Sequence, residues 1–204
     1  MPRIGRAREG AEPTSEEQRE RQVRILEAAA RLGSEHDLTR VQMAEVAKDA
    51  GVAIGTLYRY FPSKTHLFVA VLLHRFEAGA ARIGKAEPGV SPPDAICDVL
   101  IDMTRRLVEQ PLLASAMLMS NSTAAAAVVP DSLEVKRSFS RILCTTVGIE
   151  EPTEQDNDAI RLLSMVWFGL ILAFLNGGAS LEETEADIRR SCDLILAHMT
   201  LPES

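Results

Sequence analysis

Cysteine is scarce in this sequence. Cys97, Cys144 and Cys192 are far apart, odd in number and without a C-x-x-C spacing, which argues against both a disulfide framework and a thiolate zinc site. They read as buried thiols of a reducing cytoplasm. Histidine is nearly as sparse: His36, His66, His74 and His198 show no metal-ligand spacing. Neither G-x-S-x-G nor H-E-x-x-H occurs, and no glycine-rich phosphate loop follows a strand. An enzyme is therefore not expected, and neither a metal nor a cofactor is. Long apolar runs are also missing. The longest, "LLSMVWFGLILAFL" from Leu162 to Leu175, has 14 residues, with Ser164 and Gly169 inside it, short of the roughly 20 that span a bilayer. It reads as a buried helix, so no membrane partner is expected. The start, "MPRIGRAREG", is basic without a following apolar stretch, and no secretory signal is expected there. The expected location is cytoplasmic.

What is present is enough for a packed core. The chain has 204 residues, 46% hydrophobic and 25% charged, an ordinary balance for a globular protein. Its net charge of −7 conceals an asymmetry: residues 1–85 hold 14 Lys and Arg against 11 Asp and Glu, net +3, and the remainder 8 against 18, net −10. An acidic surface repels phosphates, so only the front of the chain is suited to a polyanion. A solvated acidic surface behind a basic tail accounts for the same count.

Strand-period alternation is absent, and the pattern is helical from end to end. Residues 1–14, with Pro2, Gly5, Gly10 and Pro13 among charges, read as a flexible arm. Ser15 then caps a helix, "EEQRERQVRILEAAARLGSE", acidic in its first turn, with Ile25, Ala29 and Leu32 at helical spacing. In "LTRVQMAEVAKDAG" Thr39 is a candidate cap, Val41, Ala44, Val46, Ala47 and Ala50 are small or apolar, and Gly51 supplies a left-handed stop. A third helix runs from about Ala53 to Tyr60, because Pro62 disfavours the helical region for Phe61. Ser63 caps a fourth, "KTHLFVAVLLHRFEAGAARIG". After the linker "KAEPGVSPP", helices are expected near 93–109, 111–123, 131–147, 154–176 and 182–199, broken at Pro111, Pro130, "GIEEPT" and "GGAS". The stretch "TAAAAVVP" is open between a frayed helix end and a mobile segment.

The chain's two tyrosines, Tyr58 and Tyr60, flank Arg59 inside "VAIGTLYRYFPSK". A second helix of about ten residues, a glycine and a short third helix have the layout of a helix-turn-helix. Ala47 is small where the two helices cross, and Leu57 and Phe61, four apart, seal the third helix inward. Ile54, Gly55, Thr56, Tyr58, Arg59 and Tyr60 are left to project, offering hydroxyls, phenols and a guanidinium to a DNA groove. Lys64 opens the fourth helix, where unpaired N–H groups already attract an anion. For Tyr60 a half-buried core position is an equal alternative.

These residues carry a resemblance. "TRVQMAEVAKDAGVAIGTLYRYFPSKTHLFVAVL" resembles the DNA-binding segment of the TetR family of bacterial transcriptional regulators, whose G-T-L-Y-x-x-F-x-x-K core stands here as Gly55 to Lys64. The resemblance implies phosphate or base contacts from Gln42 and Met43, groove contacts from Ile54, Gly55, Thr56, Tyr58, Arg59 and Tyr60, and a phosphate contact from Lys64. At Met43 the sequence departs from the hydroxyl or Arg often found in the family. "QPLLASAMLMS", "EPTEQ" and "VWFGLILAFL" add a similarity to the actinobacterial sterol-catabolism repressors of that family, the KstR-like proteins, whose effector is a steroid acyl-CoA thioester.

The implied architecture is all-α: a flexible arm over 1–14, a three-helix helix-turn-helix DNA-binding domain over 15–62, and a helical effector-binding and dimerisation domain over 63–204. In the helix over 154–176 apolar residues fall on nearly every face from Leu162 onward, so more than one side must be covered. A two-fold mate would cover it as a four-helix bundle and set two reading heads on a palindromic operator. A helix central to a monomeric core is the alternative. Met103, Leu107, Leu112, Leu113, Met117, Leu118, Met119, Phe139, Ile142, Leu143, Trp167, Phe168 and Leu172 are candidate lining for a small hydrophobic effector, a steroid or fatty acyl-CoA thioester. Each is also explained by ordinary packing. Arg105 and Arg106 could receive its phosphate groups, but not both from one helical turn. The expected function is a homodimeric repressor released by that effector. A regulator with a xenobiotic effector or none, and an activator, remain alternatives.

Overall fold

The computed structural model describes residues 10, 11, 13–125, 128–197 and 199; most of the predicted arm, Ala126 and Ala127 of the "TAAAAVVP" stretch, and His198 lie outside them. Among the described residues there are nine helices and no strand: α1 Glu16–Glu35, α2 Met43–Asp49, α3 Ile54–Tyr60, α4 Lys64–Ala80, α5 Pro92–Val108, α6 Pro111–Thr123, α7 Asp131–Val147, α8 Glu154–Leu175 and α9 Leu181–Ile195. The all-α expectation holds.

Local chemistry sets most of the boundaries. The Ser15 hydroxyl accepts from Gln18 N–H at 3.3 Å at the head of α1, and the Ser63 hydroxyl accepts from His66 N–H at 3.3 Å at the head of α4. Reciprocal capping boxes open α8, through Thr153 and Asp156, and α9, through Ser180 and Glu183. Gly51, at φ 65°, ends α2 as expected, and Val52 N–H closes the turn on Ala47 O at 2.9 Å. Phe61, ahead of Pro62, is extended at φ −128°, ψ 91° and closes α3. Thr39 is not the cap of α2. It lies in the preceding turn, and Gln42 is the cap residue, without a side-chain hydrogen bond.

Packing divides the chain into two units. One comprises the chain through Arg75 together with Gln110–Val135; the other comprises Phe76–Glu109 and the chain from Lys136 on. The division thus differs from a single cut at 62/63: α4 contributes to both units, and α6 packs with the reading head. The reason lies at Gly33 in α1, where a Cβ would meet Phe68 Cε1 at 2.7 Å and Leu113 Cδ1 at 3.0 Å. Only a glycine lets α6 approach α1 this closely. Val46, Ala47, Leu57, Phe61, Leu67 and Phe68, all buried, complete the core of this first unit.

In the second unit α8 packs on α9 and on α5, and α5 packs on α9. Trp167, 1% exposed, lies 5.2 Å from Phe139 and edge-on to Phe168 at 5.1 Å between ring centroids, with Phe76 at 6.2 Å. Its indole N–H donates to the buried Thr104 hydroxyl at 2.9 Å, which in turn donates to Leu100 O at 2.7 Å. Every polar hydrogen in this apolar centre therefore has an acceptor. By length and composition α8 is long and apolar enough to cross a membrane. Its inward face, Ala159, Ile160, Leu163, Trp167 and Ile171, is nonetheless buried within the unit, and its first turns carry Asp156, Asp158 and Arg161.

Candidate nucleic-acid interface

Two seven-residue helices form the reading head, and their inward stripes decide which side chains remain outside. On α2 the stripe is Met43, Val46, Ala47 and, just past the end, Ala50, all buried; on α3 it is Leu57, Tyr60 and Phe61. Ile54, at 43% exposure, Gly55, Tyr58, at 48%, and Arg59 face outward, and Thr56 is half-buried. Ile54 and Tyr58 are one turn apart and Arg59 follows, so an apolar contact, a phenol and a guanidinium share one short face. That set suits base edges and sugar-phosphate.

Two predicted contacts are corrected. Tyr60 is 4% exposed because it sits three residues after Leu57, on the same stripe. Its hydroxyl accepts from the Arg59 guanidinium at 3.2 Å, and the guanidinium carbon lies 5.1 Å from its ring centroid. Tyr60 therefore orients Arg59 instead of projecting into a groove. Met43 is 8% exposed, being three and four residues before Val46 and Ala47, and belongs to the core. Gln42 remains exposed at the start of α2. The Lys64 ammonium donates to Leu38 O at 2.7 Å, which leaves further donors of the same ammonium for a phosphate. The helical spacing from Leu57 and from Val46 was the signal for both corrections.

Sequence reasoning missed two neighbouring features. Ala11 N–H donates to Arg59 O at 2.8 Å, and a Cβ at Gly10 would collide with Tyr60 O. Residues 10 and 11 of the expected arm thus lie against the end of α3. Arg40, ahead of α2, and Lys48, in its last turn, are exposed cations. Asp49, by contrast, is neutralised by Arg31 at 2.6 Å.

The predicted effector-lining residues fall in both units. In the first, Leu113, Met117 and Leu118 are buried, Leu113 at the Gly33 crossing, whereas Leu112 and Met119 are exposed. In the second, Phe139, Ile142, Leu143 and Trp167 are buried, and Met103, Leu107, Phe168 and Leu172 are half-buried. Phe76, absent from the predicted set, joins their aromatic cluster. A pocket of about 190 Å³ in this unit is formed by the 85–90 loop, the start of α5 and the end of α7. It includes none of the predicted lining residues and is smaller than the roughly 300–1,000 Å³ usual for ligand sites. Arg105 is committed to Glu185 through two hydrogen bonds of 2.6 and 2.8 Å, and Arg106 to Asp102 at 2.7 Å. Neither is held in reserve for a phosphate. Burial pushes the thiols of Cys97, Cys144 and Cys192 upward, as expected of unreactive core cysteines.

Residues 25–71, which hold this interface, match the family described as "Bacterial regulatory proteins, tetR family", and residues 89–195 match "Tetracyclin repressor-like, C-terminal domain". The chain belongs to the TetR family. It is 36% identical over 183 residues to the HTH-type transcriptional repressor KstR of Rhodococcus jostii (strain RHA1), across 90% of this chain and 86% of that protein. A crystal structure of a TetR transcriptional regulator from Rhodococcus sp. RHA1 is 56% identical, with a TM-score of 0.83 over 89% of this chain and 97% of that one. The TetR-family repressor FadR of Thermus thermophilus, solved in complex with lauroyl-CoA, shares the fold alone: 19% identity and a TM-score of 0.60 over 90% and 97%. The TetR family consists of transcriptional regulators, consistent with the missing catalytic motifs.

Proposed function

We propose that this TetR-family regulator is a repressor that binds palindromic operator DNA as a homodimer in the cytoplasm and is released by a hydrophobic acyl-CoA thioester, steroid or fatty. The observation that carries the reading is the outward face of α3, with Ile54, Gly55, Tyr58 and Arg59 presented on a head whose inward stripe, Val46, Ala47, Leu57, Tyr60 and Phe61, is buried. Such a surface offers an apolar contact, a phenol and a guanidinium to base edges and sugar-phosphate.

Dimerisation is supported by a second surface. Leu162 and Met165 of α8 are 46% and 61% exposed, and Leu194 of α9 is 75% exposed. Large apolar side chains exposed on two helices that pack on each other suit an interaction site. A two-fold copy seated there would place two α3 helices on half-sites about one turn of DNA, or a multiple of it, apart. The acyl-CoA reading is supported by the repressor KstR as a relative and by lauroyl-CoA in the Thermus FadR. Release follows as a population shift: effector favours a state in which α4, which belongs to both packing units, no longer holds the heads at operator spacing.

The test is a fluorescence-anisotropy titration of a fragment from upstream of the protein's own gene, with oleoyl-CoA, a steroid acyl-CoA thioester or free CoA added. Release by either thioester and not by free CoA is the expected result. Binding insensitive to both thioesters would overturn the effector assignment.

A further inference from the structure

Helices α5 and α9 pack on each other within the second unit, and one ion pair sets their register. Arg105 of α5 meets Glu185 of α9 at 2.6 Å. Eight residues back along α5 stands Cys97, and seven residues on along α9 stands Cys192. Between antiparallel helices those steps rise by about 12 and 10.5 Å, so the two thiols fall level with each other. They are in hydrogen-bond contact, the Cys192 S–H donating to the Cys97 sulfur. Both are free thiols, 6% and 1% exposed. The 95 positions between them hide the pair from any reading of local spacing. Cys144, on α7, has Ser140 and Asp156 for neighbours instead.

Two sulfurs in contact across a helix pair have a reaction open to them that a lone buried thiol lacks. Burial pushes both thiols up and shields them from outside reagents. At Cys97 the charge of Arg189 and then the hydrogen bond from Cys192 act against burial, and Cys97 is also the more exposed of the two. It is therefore the first to react. Its thiolate attacks one oxygen of a peroxide, the O–O bond breaks, and the hydroxide released takes up a proton to become water. The Cys192 sulfur then displaces the hydroxyl from the Cys97 sulfenic acid, and its own proton leaves with that hydroxyl as a second water. Two thiols are oxidised to one disulfide while one peroxide is reduced to two waters. The second step is intramolecular and needs no further reagent.

We propose that Cys97 and Cys192 are a redox-active pair, which sustained hydrogen peroxide converts to a disulfide between α5 and α9 while Cys144 stays a thiol. The bond closes a loop of 95 residues and so restricts the unfolded chain, which makes the oxidised protein the more stable form. It staples the unit whose α9 carries the exposed Leu194. The proposal stands apart from the operator and effector readings above.

Peptide mass spectrometry on the full-length protein tests it. The native protein is held in hydrogen peroxide, cleared of it with catalase, then unfolded in urea with iodoacetamide and digested. Two of the three thiols should escape alkylation, a linked Cys97–Cys192 peptide about 2 Da lighter than its two halves should appear, and dithiothreitol should restore all three. The oxidised protein should melt roughly 10 °C above the reduced one, as expected of a loop this long. Cys97→Ser, treated in the same way, should form no link and show no such rise; Cys192→Ser serves if that variant does not fold. Three alkylatable thiols after peroxide would overturn the proposal, as would oxygen added to Cys97 or Cys192 without the link. A link made through Cys144 would overturn it as well.

Discussion

Replacing Gly33 with alanine puts two calculable effects in opposition. Within a helix, alanine is favoured over glycine by about 1 kcal/mol, and that gain would act alone if the site were open. It is not: the new Cβ would meet Phe68 Cε1 at 2.7 Å and Leu113 Cδ1 at 3.0 Å, and both side chains are 0% exposed, with no room to withdraw. Overpacking of this kind costs about 1–3 kcal/mol, so the net effect is a loss of up to about 2 kcal/mol. For a chain of this size each kcal/mol moves Tm by about 2–4 °C, which gives a fall of up to about 8 °C. Gly79→Ala in α4, where a Cβ meets nothing within 4 Å, is the control and should raise Tm slightly. Differential scanning calorimetry at one fixed protein concentration reads both. A Gly33→Ala variant with a Tm raised as in Gly79→Ala would refute the claim that α1 and α6 cross through this glycine.

Arg59→Ala should weaken operator binding by about 1–3 kcal/mol in an anisotropy titration, while Tyr58→Phe should weaken it less and Met43→Ala should appear in Tm, as a loss of about 2–5 kcal/mol of core packing. Met165→Glu, on the exposed face of α8, should halve the apparent mass in sedimentation velocity without lowering helix content. The hydrogen bond from Arg105, with its charge, holds the Glu185 carboxyl below its usual range. The stability it adds is complete above the unfolded carboxylate value of about 4.3 and is lost as pH falls through the folded one. Glu185→Gln should thus be less stable than wild type at pH 7, with the difference closing toward pH 3 in urea titrations. The buried thiols, raised by desolvation, should resist iodoacetamide in the native state and react once the chain is unfolded in urea.

The helices were legible wherever a cap or a breaker acts locally. Ser15, Ser63, Gly51 and Pro62 each work through the next few residues, and each ends or starts a helix where expected. Met43 was expected to be a contact and is buried, and Tyr60, open between a contact and the core, is buried too; on a seven-residue helix one stripe occupies nearly half the positions, so a tyrosine or methionine lies inside or outside by a single step. Leu113 shows another limit. Its apolar character suits a ligand cavity and a helix crossing equally, and Gly33, eighty positions earlier, decides between them. Arg105 likewise looked available until α9 supplied Glu185. Pairings over such separations leave no mark in local periodicity.

The account stands most directly on α3 as a DNA-reading helix. Anisotropy of a labelled fragment from upstream of the protein's own gene, titrated with wild type and Arg59→Ala at several salt concentrations, tests it. The account predicts tight wild-type binding that weakens steeply and log-linearly with salt, and a marked loss in Arg59→Ala. Equal binding by both proteins, or none by the wild type to this fragment at low salt, would contradict it.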